Sequence, residues 1–186
     1  MVRAFESRPL EPASVERILA AALRAPSAGF TQGVDMVVLE GPGQTARYWD
    51  ASLPPGRRQG FAWPGLLLAP LLVVVVSSEA AYRRRYAEQD KVAASDDAGA
   101  GFEVPWWHVD AAFCALLLQL AALDARLGAS FFQAHRPEAV SRALGIPEAW
   151  APVGTVAVGH PAPDRPSSSA SRPRRPADEV VHRGGW

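Results

Sequence analysis

Apolar positions first recur at helical spacing between Ala13 and Ala25, where Val15, Ile18, Leu19, Ala22 and Leu23 fall on one face. Pro12 suits the first turn of that helix, and Pro26 predicts its end, because the residue before a proline is pushed out of the helical region. A turn of small residues follows, Pro26-Ser27-Ala28-Gly29. The run Val34 to Leu39 then predicts a strand that ends at Gly41-Pro42-Gly43. From Gln44 to Trp63 the pattern is helical again, divided by Pro54-Pro55-Gly56 into two short helices. Leu71 to Ser77 is an unbroken, mostly β-branched run, which predicts a central strand covered on both faces. Glu79 to Glu88 reads as a short helix.

Residues 89–103 include Asp96-Asp97-Ala98-Gly99-Ala100-Gly101 and have no apolar period, so they predict a mobile surface loop of the kind that covers a site. Trp107 to Arg126 is apolar on nearly every side, interrupted chiefly by Asp110, Gln119 and Asp124. It predicts a helix buried all round, as a core helix or a dimer seam would be. Leu127 to Phe132 predicts a third strand, Pro137 to Leu144 a short helix, and Val153 to Gly159 a fourth strand. Beyond His160 the composition turns to Pro, Ser and Arg, with Val180, Val181 and Trp186 available to dock the tail. The chain therefore reads as one domain over 1–160, with 161–186 extending it.

A length of 186 residues, 48% of them hydrophobic and 20% charged, is a globular balance with enough chain for a packed core. Nineteen basic and nineteen acidic residues cancel, so no global field favours nucleic acid or an anionic membrane as partner. The single cysteine, Cys114, excludes an internal disulfide, lies among apolar residues as a buried small side chain would, and fits a reducing cytoplasm. No apolar signal core opens the chain, and the most apolar stretches, 65–76 and 111–123, are shorter than a bilayer span, so a soluble protein is expected. Neither a catalytic triad, nor a metal-ligand cluster, nor a glycine-rich phosphate fingerprint is visible. That absence favours chemistry carried by a cofactor.

Four landmarks occur in one order along the chain: Ala25-Pro26-Ser27-Ala28-Gly29-Phe30-Thr31-Gln32 before a strand; Ala69-Pro70 opening a β-branched strand; Asp110-Ala111-Ala112 beginning a long helix that ends near Leu127-Gly128; and Leu144-Gly145-Ile146-Pro147 before Pro152 to Pro161. In this order and spacing they resemble the nitroreductase family. The resemblance implies an α+β, three-layer fold with a mainly antiparallel sheet flanked by helices. It also implies a homodimer formed through the long central helix, with two FMN molecules at the subunit interface. By the same resemblance Pro26, Ser27 and Ala28 contact flavin from the partner subunit, while Arg172 and Arg174, ahead of Pro176, correspond to a C-terminal basic pair that holds the FMN phosphate. Arginine suits that task because its planar fork matches phosphate oxygens. By the resemblance, Arg3 is what remains of an N-terminal arginine cluster that binds the phosphate and the flavin's polar edge; either the start is assigned late or the chain binds flavin weakly.

The chain departs from the family pattern in one loop, with Phe30 where Asn is usual and Gly33-Val34 where Pro-Trp is usual. Phe30 cannot make an amide's hydrogen bonds; packing into the core is its expected place, stacking near the ring the alternative. Trp106 and Trp107 lie where the family builds its substrate channel. Ser130, Phe131 and Phe132 occupy a strand end that approaches flavin through backbone groups, and His108 and His135 fall near the same region. The implied activity passes hydride from NAD(P)H through FMN to a small conjugated acceptor such as a nitro compound or quinone, with no catalytic side chain and no metal. A deazaflavin-using enzyme, a biosynthetic oxidase or dehydrogenase, a flavin-storage protein and a cofactor-free dimer stay open on the same fold.

Overall fold

A computed structural model describes residues 1–93, 102–167 and 169–186; the segment Asp96 to Gly101 lies outside them. The first helix, α1 (Pro12–Ala22), has proline in its first turn and buries Val15, Ile18 and Ala22. It stops one turn before Pro26, and Leu23, expected on its apolar face, is exposed beyond its end. Strand β1 (Val34–Glu40) runs directly into α2 (Gly41–Ser52). Gly41-Pro42-Gly43 thus forms the first turn of a helix and not a loop, because proline's missing N–H costs nothing there. The Pro54-Pro55 break separates α2 from the four-residue α3 (Pro55–Arg58), as expected.

Strand β2 (Leu71–Ser77) is followed by α4 (Glu79–Tyr86), which Ser78 caps by accepting the Ala81 N–H, and by the short α5 (Gln89–Val92). Next come α6 (Trp106–Asp124), β3 (Gly128–Phe132), α7 (Pro137–Leu144) and β4 (Ala151–Gly159). Gly145 ends α7 in the left-handed conformation that a helix C-terminus commonly takes. Among the described residues the strands form one antiparallel sheet in the order β1-β2-β4-β3. The fold class is α+β.

The alternation along β2 divides the core in two. Leu71, Val73 and Val75 face α1 and α6, joining Ile18, Ala115 and Leu118, whereas Leu72, Val74 and Val76 face the side of α2 and α7 with Tyr48, Trp49 and Val140. Every residue of β2 is buried, so its continuous apolar run is explained by helices on both faces. The N-terminal segment is sewn to the far end of the sheet. Val2 donates its N–H to Ala129, covering part of the free edge of β3, and Phe5 pairs with Pro161.

Helix α6 corrects the expectation of burial all round. Asp110, Ala111, Cys114, Ala115, Leu118 and Ala122 are buried, but Phe113, Leu116, Leu120 and Leu123 are 41–58% exposed. Their spacing of three, four and three places them in one stripe. At 19 residues, with a mean hydropathy of 1.4, α6 has the length and composition of a membrane span, yet its other face is packed against the sheet. The tail also differs from its expected docking: Val180, Val181 and Trp186 are exposed, and among the described residues Trp186 stacks on His182.

Candidate functional site

Separate concave regions hold Arg3 and the Pro26-Ser27 turn, and Arg3 also lines an open groove of about 670 Å³ with Phe61, Trp63, Asp164 and Arg165. The more enclosed Arg3 region, about 250 Å³, lies at the end of β3 and is lined by Met1, Arg3, Trp49, Ser52, Phe61, Trp63, Leu66, Ser130 to Gln133 and His135. Its walls are mostly aromatic, with Trp49 and Phe132 stacked at 5.7 Å and nearly parallel. Ser52 fixes one side by accepting the His135 N–H at 3.1 Å. The indole N–H of Trp49 is buried and has no partner among the described residues, an unsatisfied donor in the wall of a cavity.

Arg3 sits at the mouth. Its guanidinium lies over the Trp63 ring at 4.8 Å, and that of Arg165 lies over the same ring at 4.7 Å. Asp164 accepts the backbone N–H of Arg3 at 3.0 Å, and Arg165 donates to the Ala62 carbonyl. Neither guanidinium forms a salt bridge among the described residues. Two like charges gathered on one indole form a place that an anion completes.

The second region, about 100 Å³, includes Pro26, Ser27, Gln32, Asp110 and Cys114 and shares no lining residue with the first. Pro26, Ser27 and Ala28 are therefore brought together with one another but not with Arg3. Arg172 and Arg174 are exposed and line neither region. Cys114 is buried as expected, and that burial pushes its thiol up to about 11, so it stays protonated at neutral pH.

The loop around Ser27 is held by several fixed contacts. The Gln32 N–H donates to Ser27 Oγ at 2.8 Å, the Ala28 N–H to Asp110 Oδ2 at 2.8 Å, the Tyr82 hydroxyl to the same Oδ2 at 2.6 Å, and Arg85 Nε to the Gly29 carbonyl at 3.0 Å. Burial first, and then the hydrogen bond to Asp110, raise the Tyr82 hydroxyl above its usual range. A Cβ at Gly33 would fall 2.5 Å from the Tyr82 ring. This chain's glycine at that position is thus matched to its tyrosine.

Phe30 is a correction to the core expectation: it is 75% exposed. Its φ is +54°, and that of Gln32 is +53°, a region that suits asparagine or glycine and strains a bulky residue. Phe30→Asn is therefore expected to stabilise the chain by about 1 kcal/mol, read as a higher urea midpoint at unchanged slope; an unchanged or lower midpoint would show that the ring is held by contacts worth more than the strain. Trp107 packs among Tyr82, Phe102 and His108, while Trp106 remains partly exposed beside it. Sequence reasoning assigned no role to Trp49, Trp63, Tyr82, Arg85 or Arg165. Only Asp110, a lone carboxylate in an apolar helical run, carried a signal that could have been followed.

The model of the nitroreductase family matches residues 1–160 of this chain. The chain belongs to the nitroreductase family. Membership places it among flavin oxidoreductases. Solved structures share the fold. One from B. megaterium, described as NfrA1, has 20% identity and a TM-score of 0.73 over 100% of this chain and 70% of its own. Nitroreductase A from Vibrio parahaemolyticus has 23% identity and a TM-score of 0.70, covering 100% and 72%. An FMN-dependent nitroreductase from Clostridium difficile has 18% identity and a TM-score of 0.69, covering 100% and 94%.

Proposed function

We propose that this chain is a homodimeric, FMN-dependent oxidoreductase that accepts hydride from NAD(P)H and delivers it to a small conjugated acceptor. The observation that carries the reading is the separation of the site's halves. Arg3 and the turn at Pro26 and Ser27, which the family resemblance assigns to one cofactor, line two regions with no residue in common. A second copy of the chain is the natural source of the missing half. The exposed stripe on α6 offers the seam.

The residues present fit the cofactor. Aromatic walls suit a flat ring system, the unpartnered Trp49 N–H and the Gln133 amide offer hydrogen bonds at its edge, and Arg3 beside Arg165 suits a phosphate. Bound FMN would supply the two-electron chemistry. The chain's own part is to hold the ring's edge, neutralise the phosphate, exclude water with Phe61, Trp63 and Phe132, and present Ser27 and Ala28 from the partner subunit. Arg172 and Arg174 would add to the phosphate site from the tail, in which Arg165 already stands next to Arg3.

Visible absorbance of the purified chain with FMN, before and after anaerobic NADPH or NADH, tests the proposal. Bound flavin that is bleached, then restored by a quinone or nitro compound, is the expected result. Bound but unbleached flavin would point to storage or another reductant, and no binding would remove the FMN assignment.

A further inference from the structure

The buried carboxylate of Asp110 has no part in the function above, yet it is only 3% exposed and carries two hydrogen bonds on one oxygen. An ionisable group is buried in this way only where its partners repay the lost hydration. Its partners are the Ala28 N–H and the Tyr82 hydroxyl, both at the loop that the functional reading turns toward flavin.

That loop needs holding. Phe30 and Gln32 both have left-handed backbone, and strain of this kind persists only where the surroundings over-determine it. Asp110 grips the loop at Ala28, Arg85 at Gly29, and Ser27 Oγ closes it on Gln32. Tyr82 ties the arrangement to α4. Its hydroxyl donates to the same Asp110 oxygen that accepts the Ala28 N–H, so one carboxylate joins that helix to the loop.

We propose that Asp110 is the positioning residue of this loop, fixing its strained backbone through Ala28 and, through the Tyr82 hydroxyl, anchoring it to α4. The proposal rests on the flavin reading for the identity of the ligand.

Asp110→Asn is expected to raise the FMN Kd about three- to tenfold, the worth of one hydrogen bond at the loop, and an unchanged Kd would overturn the positioning role. Amide hydrogen exchange reads the loop without cofactor. Asp110→Asn should speed exchange at Ala28 roughly tenfold by replacing a charge-assisted bond with a neutral one, and unchanged exchange there would overturn the positioning role. If the native chain binds no FMN, the functional reading fails and the exchange experiment still decides this one. If Asp110→Asn does not fold, exchange at Ala28 in Tyr82→Phe replaces it: faster exchange supports the linkage and an unchanged rate overturns it.

Discussion

Glutamate at both Leu116 and Leu120 is expected to leave each chain folded while abolishing the dimer, and to weaken FMN binding by at least about 100-fold. Both side chains are about half exposed in the isolated protomer, so neither substitution buries a charge or opens a cavity within the fold. In an apposed stripe of Phe113, Leu116, Leu120 and Leu123, however, four carboxylates per dimer would lose hydration without a partner, at a cost of several kcal/mol. Flavin binding should fall with assembly because, in the proposed dimer, the halves of the site come from different protomers. Light scattering gives the mass and an absorbance titration the affinity. A double variant that is monomeric but binds FMN at native affinity would show that one chain makes the whole site.

Leu118→Ala, two residues away on the same helix, should behave in the opposite way. Leu118 is fully buried against the sheet in the cluster with Ile18, Val73 and Val156. Truncation there removes transferred apolar surface and leaves a cavity, for about 3 kcal/mol of lost stability, or a fall of roughly 10 °C in the midpoint of thermal unfolding for a chain of this size. Circular dichroism on heating measures it. A loss under about 1 kcal/mol would mean that α6 closes over the gap, and would weaken the assignment of this face to the core.

Much of the fold was legible because the local signals were strong. The β2 run is β-branched and unbroken, α7 lies between Pro137 and Gly145, and Pro54-Pro55 divides one helical stretch into two. Other boundaries failed where one residue type serves two purposes. Gly41-Pro42-Gly43 reads as a turn, yet proline and glycine are equally at home in the first turn of a helix. In α6 a run of leucines reads as buried on all sides, but composition has no means of saying which leucines meet the chain's own core.

The candidate site was legible in part, for the same reason. Pro26, Ser27 and Ala28 form one contiguous motif, and Asp110 stands out as a carboxylate among apolar neighbours. Trp49, Trp63, Tyr82 and Arg165 carry no local mark, since aromatic and arginine side chains at such spacings are ordinary. Their meaning comes from contacts across the fold: Tyr82 with Asp110, 28 residues on, Arg3 and Arg165 on Trp63, and Trp49 stacked on Phe132.

By itself, then, the sequence determined the order of helices and strands, the two-sided burial of β2 and the family, because hydrophobic period, proline and glycine act over a few neighbouring residues. Only the tertiary structure decided that α6 has one free apolar face, that Phe30 is exposed on a strained loop, and that Asp110 grips this loop while Arg3 lies in another cavity. Those facts depend on which distant groups share a hydrogen bond, a ring face or a volume, and chain closure sets that, not local preference.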